Sequence, residues 1–258
     1  MSKVTDRLDN KQIIDLARKQ YDQKQRTSKF PGHVVKLPSA GKVYPESSPL
    51  REGTVELRLM TAYDEDILTN SSYITEGITF DKLLDALILT PGVHVDNIIN
   101  SDKEALLISA RILGYGAEYV TTIERDGKQE EHTLNLNNIE FKPFDAESDE
   151  NGEFLYTVPT TGDLIKYRYL TSAEARKITD TNMISQFLKL SVTQINNSRN
   201  ASDIDTFLTY EFRAGDSKNL RTHIIKTQPG IQDTIQVEGE NGSTFSAGFR
   251  LKPDLFWF

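Results

Sequence analysis

The sequence predicts an α+β protein made of two related halves, each with a strand, capped helices and a terminal β-hairpin, preceded by an N-terminal helix. Three observations predict this fold class. Several short segments alternate apolar and polar residues, as half-buried strands do. The apolar residues from Phe80 to Ile88 recur at the spacing of an amphipathic helix. The same order of elements returns about 110 residues later along the chain.

Composition sets the outer limits of this interpretation. The 258 residues are 37% hydrophobic and 26% charged, which is typical of a globular protein. The chain lacks cysteine, which excludes disulfides, thiolate metal sites and cysteine nucleophiles. No apolar run reaches the roughly 18 to 20 residues of a membrane span, and the first residues do not resemble a secretory signal. We therefore expect no membrane partner and no export.

The first segment, residues 1–36, is predicted to be a basic N-terminal helix or tail. It holds nine Lys or Arg and four Asp, a local charge of +5 in a chain of net charge −8. Its apolar stripe, which includes Leu16 and Tyr21, is too narrow for a deep core. Two interpretations stay open, a solvated terminal helix and a tail that docks on a protein partner through these two residues. Interleaved acids and the overall negative charge argue against nucleic acid.

The first half is predicted to span residues 37–144. Pro and Gly between residues 37 and 45 predict an extended segment with a tight turn at Ser39 to Gly41. A strand with a buried face should follow at 55–59. Thr61 and Asp64 have the spacing of a capping box, which predicts a short helix through Leu68.

Two further helices and a hairpin complete the first half. The helix from Phe80 should end at Thr90-Pro91-Gly92. A second capping box at 101–104 predicts a helix through Leu113 that Gly114 terminates. The alternating runs 119–124 and 132–136 flank Asp126-Gly127, a strong hairpin signal.

The second half, residues 162–258, follows an acidic linker at 145–161. An alternating strand at 165–169 precedes a third capping box, Thr171 to Glu174, and a helix of about 18 to 20 residues is expected after it. Shifting the sequence by 110 places Arg58, Thr61 and Asp64 on Arg168, Thr171 and Glu174. This order of matches suggests a tandem duplication. Chance sharing of local patterns between two α+β halves remains the alternative.

No catalytic constellation is visible in the sequence. The four histidines lack the spacing of a zinc-ligand pair, and no nucleophile-elbow motif is present. Gly41-Lys42 lacks the other residues of a phosphate loop. The acids at 64–66 lie in a predicted first helical turn, where they complement free amides. We therefore expect no catalytic residues, no cofactor and no metal.

The sequence instead contains residues that are suited to binding another protein. The Pro/Gly-fixed segment and the aromatic chain end supply the candidate binding residues, in addition to the two N-terminal ones. Phe256 and Trp257 either fold back to close the core or anchor a partner. The candidates in the fixed segment are Leu37, Pro38, Gly41, Tyr44 and Pro45.

These residues also suggest a family. The motifs, in chain order, are Leu37-Pro38-Ser39-x-Gly41-x-x-Tyr44-Pro45, Gly53-x-Val55, Arg58-x-x-Thr61-x-x-Asp64-Glu65, Arg111 to Gly116, Pro229-Gly230 and the Phe-rich end. This ordered set resembles the baseplate hub and hub-assembly proteins of T4-type contractile phage tails, including tail assembly chaperone-like proteins.

The resemblance implies a non-enzymatic protein that helps to build the tail hub in the host cytoplasm by binding hub or tape-measure subunits. Some relatives carry cysteine pairs that suggest a zinc ribbon, and this chain has none, so metal binding does not transfer. We expect an assembly factor, and the alternatives are a permanent structural subunit of the virion baseplate and a small enzyme acting through Asp64 and Glu65.

Overall fold

The computed structural model describes residues 31–125, 128–238, 244–249, 251 and 253–256. They form helices and small antiparallel sheets, which confirms the α+β class. The predicted N-terminal helix lies outside the described residues, as do the turn at Asp126-Gly127 and the end residues Trp257 and Phe258.

The first half begins with a two-stranded sheet and ends with a hairpin. Strand β1 pairs antiparallel with β2, and β3 pairs antiparallel with β4. The helices lie between these two sheets in chain order. The elements are β1 His33–Lys36, β2 Thr54–Leu57, α1 Ala62–Leu68, α2 Ser71–Glu76, α3 Thr79–Leu87, α4 Asn100–Tyr115, β3 Glu118–Arg125 and β4 Lys128–Asn135.

The elements from β5 onward begin with a three-stranded antiparallel sheet. Strand β6 lies between β5 and β7, and β8 pairs with β9. The elements are β5 Phe154–Thr157, β6 Leu164–Tyr167, α5 Ser172–Ala175, α6 Met183–Ser191, β7 Val192–Ile195, α7 Ala201–Thr206, a π-helical turn Phe207–Glu211, α8 Ala214–Thr227, β8 Thr234–Glu238 and β9 Thr244–Gly248. A 3₁₀ turn at Pro253–Phe256 follows.

The same ion pair stands at the same place in both halves. Arg58 holds Asp64 through two hydrogen bonds of 2.6 and 2.8 Å, and Arg168 holds Glu174 through two of 2.7 and 2.6 Å. In each case the acid also accepts the backbone amide of the threonine three residues earlier. Burial alone would raise the pKa of Asp64, but these hydrogen bonds lower it. The two capping boxes are therefore confirmed, and their shared geometry supports the duplication hypothesis.

Each half also packs its final segment on the other half. After β4, the amide of Lys142 donates to the carbonyl of Gly230 at 2.8 Å. After β9, the carbonyl of Leu255 accepts from Arg111 Nε at 2.9 Å. Phe256 is 5% exposed, and its ring lies 5.7 Å from the ring of Phe80. The halves therefore share one continuous hydrophobic core.

Two predicted helix boundaries are wrong. The capping box predicted at Ser101 and Glu104 does not form, because α4 begins one residue earlier, at Asn100, after Ile99, which has no capping side chain. This helix continues through Tyr115. The helix expected after Thr171 ends at Ala175, and α6 starts only at Met183.

The predicted acidic linker is packed between the halves. Ser148 accepts a hydrogen bond from Arg51, and Glu46 donates its amide to the carbonyl of Glu150. The C-terminal part of the segment forms strand β5, which begins at the buried Phe154. Residues 145–161 therefore belong to the folded body. The exact domain boundaries stay a prediction.

Candidate protein-binding surface

The segment at 37–45 lies mostly in the core. Leu37 is 3% and Tyr44 4% exposed, and Pro38 and Gly41 are also buried. Only Pro45 among these candidates is exposed. The other four are buried, so in this conformation they form part of the core and do not present a surface to a partner, contrary to the contact role expected from the sequence.

A buried hydrogen-bond network explains why the segment folds inward. Asp102 is fully buried and accepts the Ser39 amide at 3.0 Å, the Ser39 hydroxyl at 2.6 Å and the Tyr44 hydroxyl at 2.6 Å. The Tyr44 oxygen accepts the Ile99 amide at 3.2 Å. Burial raises the pKa of Asp102, and burial followed by the Asp102 charge raises that of Tyr44. The network fastens the segment to the start of α4.

The turn in this segment depends on glycine. Gly41 has φ +79, and a Cβ atom there would lie 2.2 Å from the carbonyl oxygen of Arg51. No side chain fits so close to a backbone oxygen, and positive φ favours glycine. The predicted tight turn is confirmed, and its role is structural.

The other predicted contact residues divide into two groups. Phe256 is buried against α3 and the end of α4, where Tyr115 also contacts its ring at 6.4 Å. It therefore folds back into the core. Leu16, Tyr21 and Trp257 lie outside the described residues.

A different surface exposes large apolar side chains. We call it the α6 surface and define it by residues on α6, the π-helical turn and α8. Met183 is 53%, Ile184 50%, Tyr210 83% and Ile225 62% exposed. The half-buried Phe187 lies among them on α6. Helix α6 contacts the π-helical turn, and Phe187 and Ile225 line the same cavity. Exposed apolar groups on neighbouring elements are typical of protein-binding sites.

Local sequence explains why α6 presents these residues. Asn182, the residue before the helix, has φ +58, a left-handed backbone conformation that interrupts helical structure. Asn is among the non-glycine residues that adopt positive φ most often. Gln186 then accepts the Thr179 amide at 2.9 Å and donates to the Thr181 carbonyl at 2.6 Å. These bonds close the 179–182 turn and start a new helix at Met183.

The π-helical turn supports the other side of the surface. Its closing bond joins the Phe212 amide to the Phe207 carbonyl at 2.8 Å, and the two rings stack with centroids 5.4 Å apart. An ion pair between Lys189 and Asp205 ties α6 to α7. This frame leaves Tyr210 pointing to solvent. π-helical turns are frequent at functional sites.

A cavity of about 180 Å³ opens into the α6 surface. Apolar side chains of the second half make most of its wall, among them Ile178, Phe187 and Ile224. The first turn of α4 contributes Asn100, and Ser191 lies at the end of α6. Tyr169, whose pKa is raised by burial, completes the wall and shares a hydrogen bond with a threonine on α8.

The described residues offer little else that points to a site. Within them, no group of three or more His, Cys, Asp or Glu side chains could hold a metal ion. None of their helices has the length and hydropathy needed to cross a bilayer. The α6 surface with its cavity is therefore the best candidate site.

Sequence reasoning missed this surface, although a signal was present. Met183, Ile184, Phe187 and Leu188 form one broad apolar stripe along the helix, and only Leu188 is buried. A stripe wider than the core requires predicts an exposed apolar face. The exposed face was not predicted because a single long helix was expected after Thr171, whereas α6 is a separate helix that starts at Met183.

No protein-family model, no curated protein and no solved structure matches this chain. The resemblance to baseplate hub proteins therefore stays a prediction that rests on the residues quoted above.

Proposed function

We propose that this chain is a non-enzymatic protein-binding factor of contractile phage tails, which occupies hub or tape-measure subunits in the host cytoplasm while the baseplate hub is assembled. The phage role comes from the resemblance, which covers most of the chain from Leu37 on and includes Pro229-Gly230 and the Phe-rich end. The binding role comes from one structural observation, the exposed apolar side chains of the α6 surface.

Exposed apolar side chains are unfavourable in water, so a partner that covers them lowers the free energy of the system. Burying apolar area contributes about 25 cal/mol per Å². Met183, Ile184 and Ile225 are each at least half exposed, and helix α6 supplies a rigid frame for the first two. A partner that covers them gains binding energy without unfolding either chain. Reversible cover of a hub or tape-measure subunit would delay its association until the next subunit arrives.

The experiment uses two matched isoleucines. Ile184→Asp places a charge on the α6 surface, and Ile74→Asp places one on α2, where the isoleucine is 52% exposed. We expect Ile184→Asp to weaken binding to purified hub or tape-measure subunits at least tenfold, as loss of a central apolar contact does. Ile74→Asp should bind like the unchanged chain. Equal affinities for both variants contradict the proposal.

The alternative of a permanent baseplate subunit has a separate test. Quantitative mass spectrometry of purified virions measures the number of copies per particle. An assembly factor that leaves should be absent from finished tails, whereas a structural subunit should be present at a fixed ratio to the hub.

A further inference from the structure

Helices α1 and α2 carry a second group of exposed apolar side chains, on the opposite end of the chain from α6. The two helices pack on each other and on α3. Tyr63 on α1 is 61% and Ile74 on α2 is 52% exposed, and the half-buried Ile67 and Tyr73 lie on the same two helices. We call the outward side of residues 61–76 the α1–α2 face. Exposed apolar groups on packed helices mark a surface that another segment can cover.

The charged side chains of the α1–α2 face are all acidic. Residues 61–76 contain four acids and no Lys or Arg. One acid is held by Arg58, and Glu65 accepts the hydroxyl of a tyrosine on α4. Asp66 and Glu76 are exposed and form no ion pair with any described residue. The acidic segment after the first half differs, because three of its acids are paired with Lys or Arg. The α1–α2 face therefore favours an occupant that is both basic and apolar.

The described chain begins beside this face. His33, the first residue of β1, pairs with Leu57, the last residue of β2. Because the strands are antiparallel, the chain before His33 continues in the direction in which β2 runs toward α1. The chain from Leu57 to Ala62, the start of α1, spans at most about 18 Å when fully extended. Residues 1–30 therefore join the fold within about 25 Å of α1.

Residues 1–30 have the complementary character. They hold eight Lys or Arg and four Asp, a net charge of +4 in a chain of −8, so the rest of the chain carries −12. Their apolar residues Ile13, Ile14, Ala17 and Tyr21 recur at helical spacing. Such a narrow stripe suits a shallow face and not a deep core. The nine residues that separate the stripe from the described chain reach up to about 30 Å when extended, which is enough to place the stripe on α1 and α2.

We propose that residues 1–30 dock on the α1–α2 face of their own chain. The apolar stripe covers Tyr63 and Ile74, and the surrounding Lys and Arg side chains lie near Asp66 and Glu76. A short linker holds the segment at an effective concentration of about 1 mM, which favours docking within one chain over docking between copies. In this arrangement the N-terminal stripe contacts its own chain and not a separate protein. The inference is independent of the proposed function, because the α6 surface lies on other helices.

Paramagnetic relaxation measures this contact in the full-length protein. The chain lacks cysteine, so a nitroxide on Gln12→Cys labels one position, on the side of the predicted helix away from the stripe. We expect the nitroxide to broaden the methyl signal of Ile74 at low ionic strength and to leave that of Ile184, which is exposed on α6, unchanged. No broadening at Ile74, or equal broadening of the two signals, overturns the proposal.

Charge variants test the two acids. Asp66→Lys combined with Glu76→Lys should reduce the broadening at Ile74 by about fivefold or more, because like charges then face each other. Glu46→Lys combined with Glu150→Lys is the matched control, since it changes the net charge equally at two exposed acids outside the face. Equal effects of the two pairs overturn the assignment of the face. Should the lysines prevent folding, Asp66→Asn with Glu76→Gln provides the same test, with a loss of about twofold or more expected.

A mixing experiment separates docking within one chain from docking between copies. Isotope-labelled chain without the nitroxide is mixed with nitroxide-labelled chain without isotope, so that any broadening at Ile74 comes from a second copy. At about 0.1 mM we expect about tenfold less broadening than within one chain, because the effective concentration of the linked segment is higher. Broadening in the mixture as strong as that within one chain shows that a second copy supplies the segment and overturns the proposal.

Discussion

Replacing Tyr44 with phenylalanine removes a single hydroxyl from the network that fastens residues 37–45 to α4. That hydroxyl donates to the buried Asp102 carboxyl at 2.6 Å and accepts the Ile99 amide at 3.2 Å. A hydrogen bond to a charged group contributes about 1.5 to 3 kcal/mol, and a buried amide left without an acceptor costs about 1 to 3 kcal/mol. Because both losses concern one oxygen, we expect a combined destabilisation of about 3 kcal/mol.

Thermal unfolding followed by circular dichroism measures this loss. A domain of this size loses about 2 to 4 °C per kcal/mol, so Tyr44→Phe should lower the Tm by about 6 to 12 °C. Tyr63→Phe is the control, since Tyr63 is 61% exposed and substitutions at such surface sites change stability by less than about 0.5 kcal/mol. A Tm for Tyr44→Phe no lower than that of the control would show that the network does not hold the segment.

Two further predictions concern the ion pair and the chain end. Because hydrogen bonds lower the folded-state pKa of Asp64 below its usual 3.8, its contribution to stability is complete above about pH 4 and is lost as pH falls through the lowered value. Arg58→Leu should cost about 3 to 5 kcal/mol at pH 7 and reverse this dependence, because burial then raises that pKa; urea unfolding between pH 3 and 7 measures both, and an unchanged pH profile contradicts the account. Phe256→Ala should destabilise the fold by about 3 to 5 kcal/mol in urea unfolding, as expected for a core aromatic, whereas the 41% exposed Phe141 should tolerate alanine with little loss. Equal effects of the two substitutions would argue that Phe256 does not close the core.

Local patterns predicted those elements whose determinants lie close together in the sequence. The helix at α3 follows from apolar spacing alone, and Thr61 with Asp64 is a self-contained start signal. The recurrence of this signal at Thr171 with Glu174 was visible for the same reason. Each of these features needs only a few neighbouring residues.

Features that depend on distant residues could not be predicted in this way. Local spacing placed the start of α4 at Ser101, but the helix begins at Asn100, and Asp102 in its first turn accepts hydrogen bonds from Ser39 and Tyr44, about 60 residues earlier. The predicted contact segment turned inward because of the same long-range network. The α6 surface required knowledge of the break at Asn182, which a side-chain hydrogen bond from Gln186 stabilises.

Hydrogen exchange of the full-length chain, free and bound to its hub or tape-measure subunit, tests the central claim most directly. Binding through the α6 surface predicts added protection of the amides at 183–191 and 207–211, with exchange on α2 unchanged. Protection confined to other elements, with exchange in α6 and the π-helical turn unaltered, would contradict the claim that this surface meets the partner.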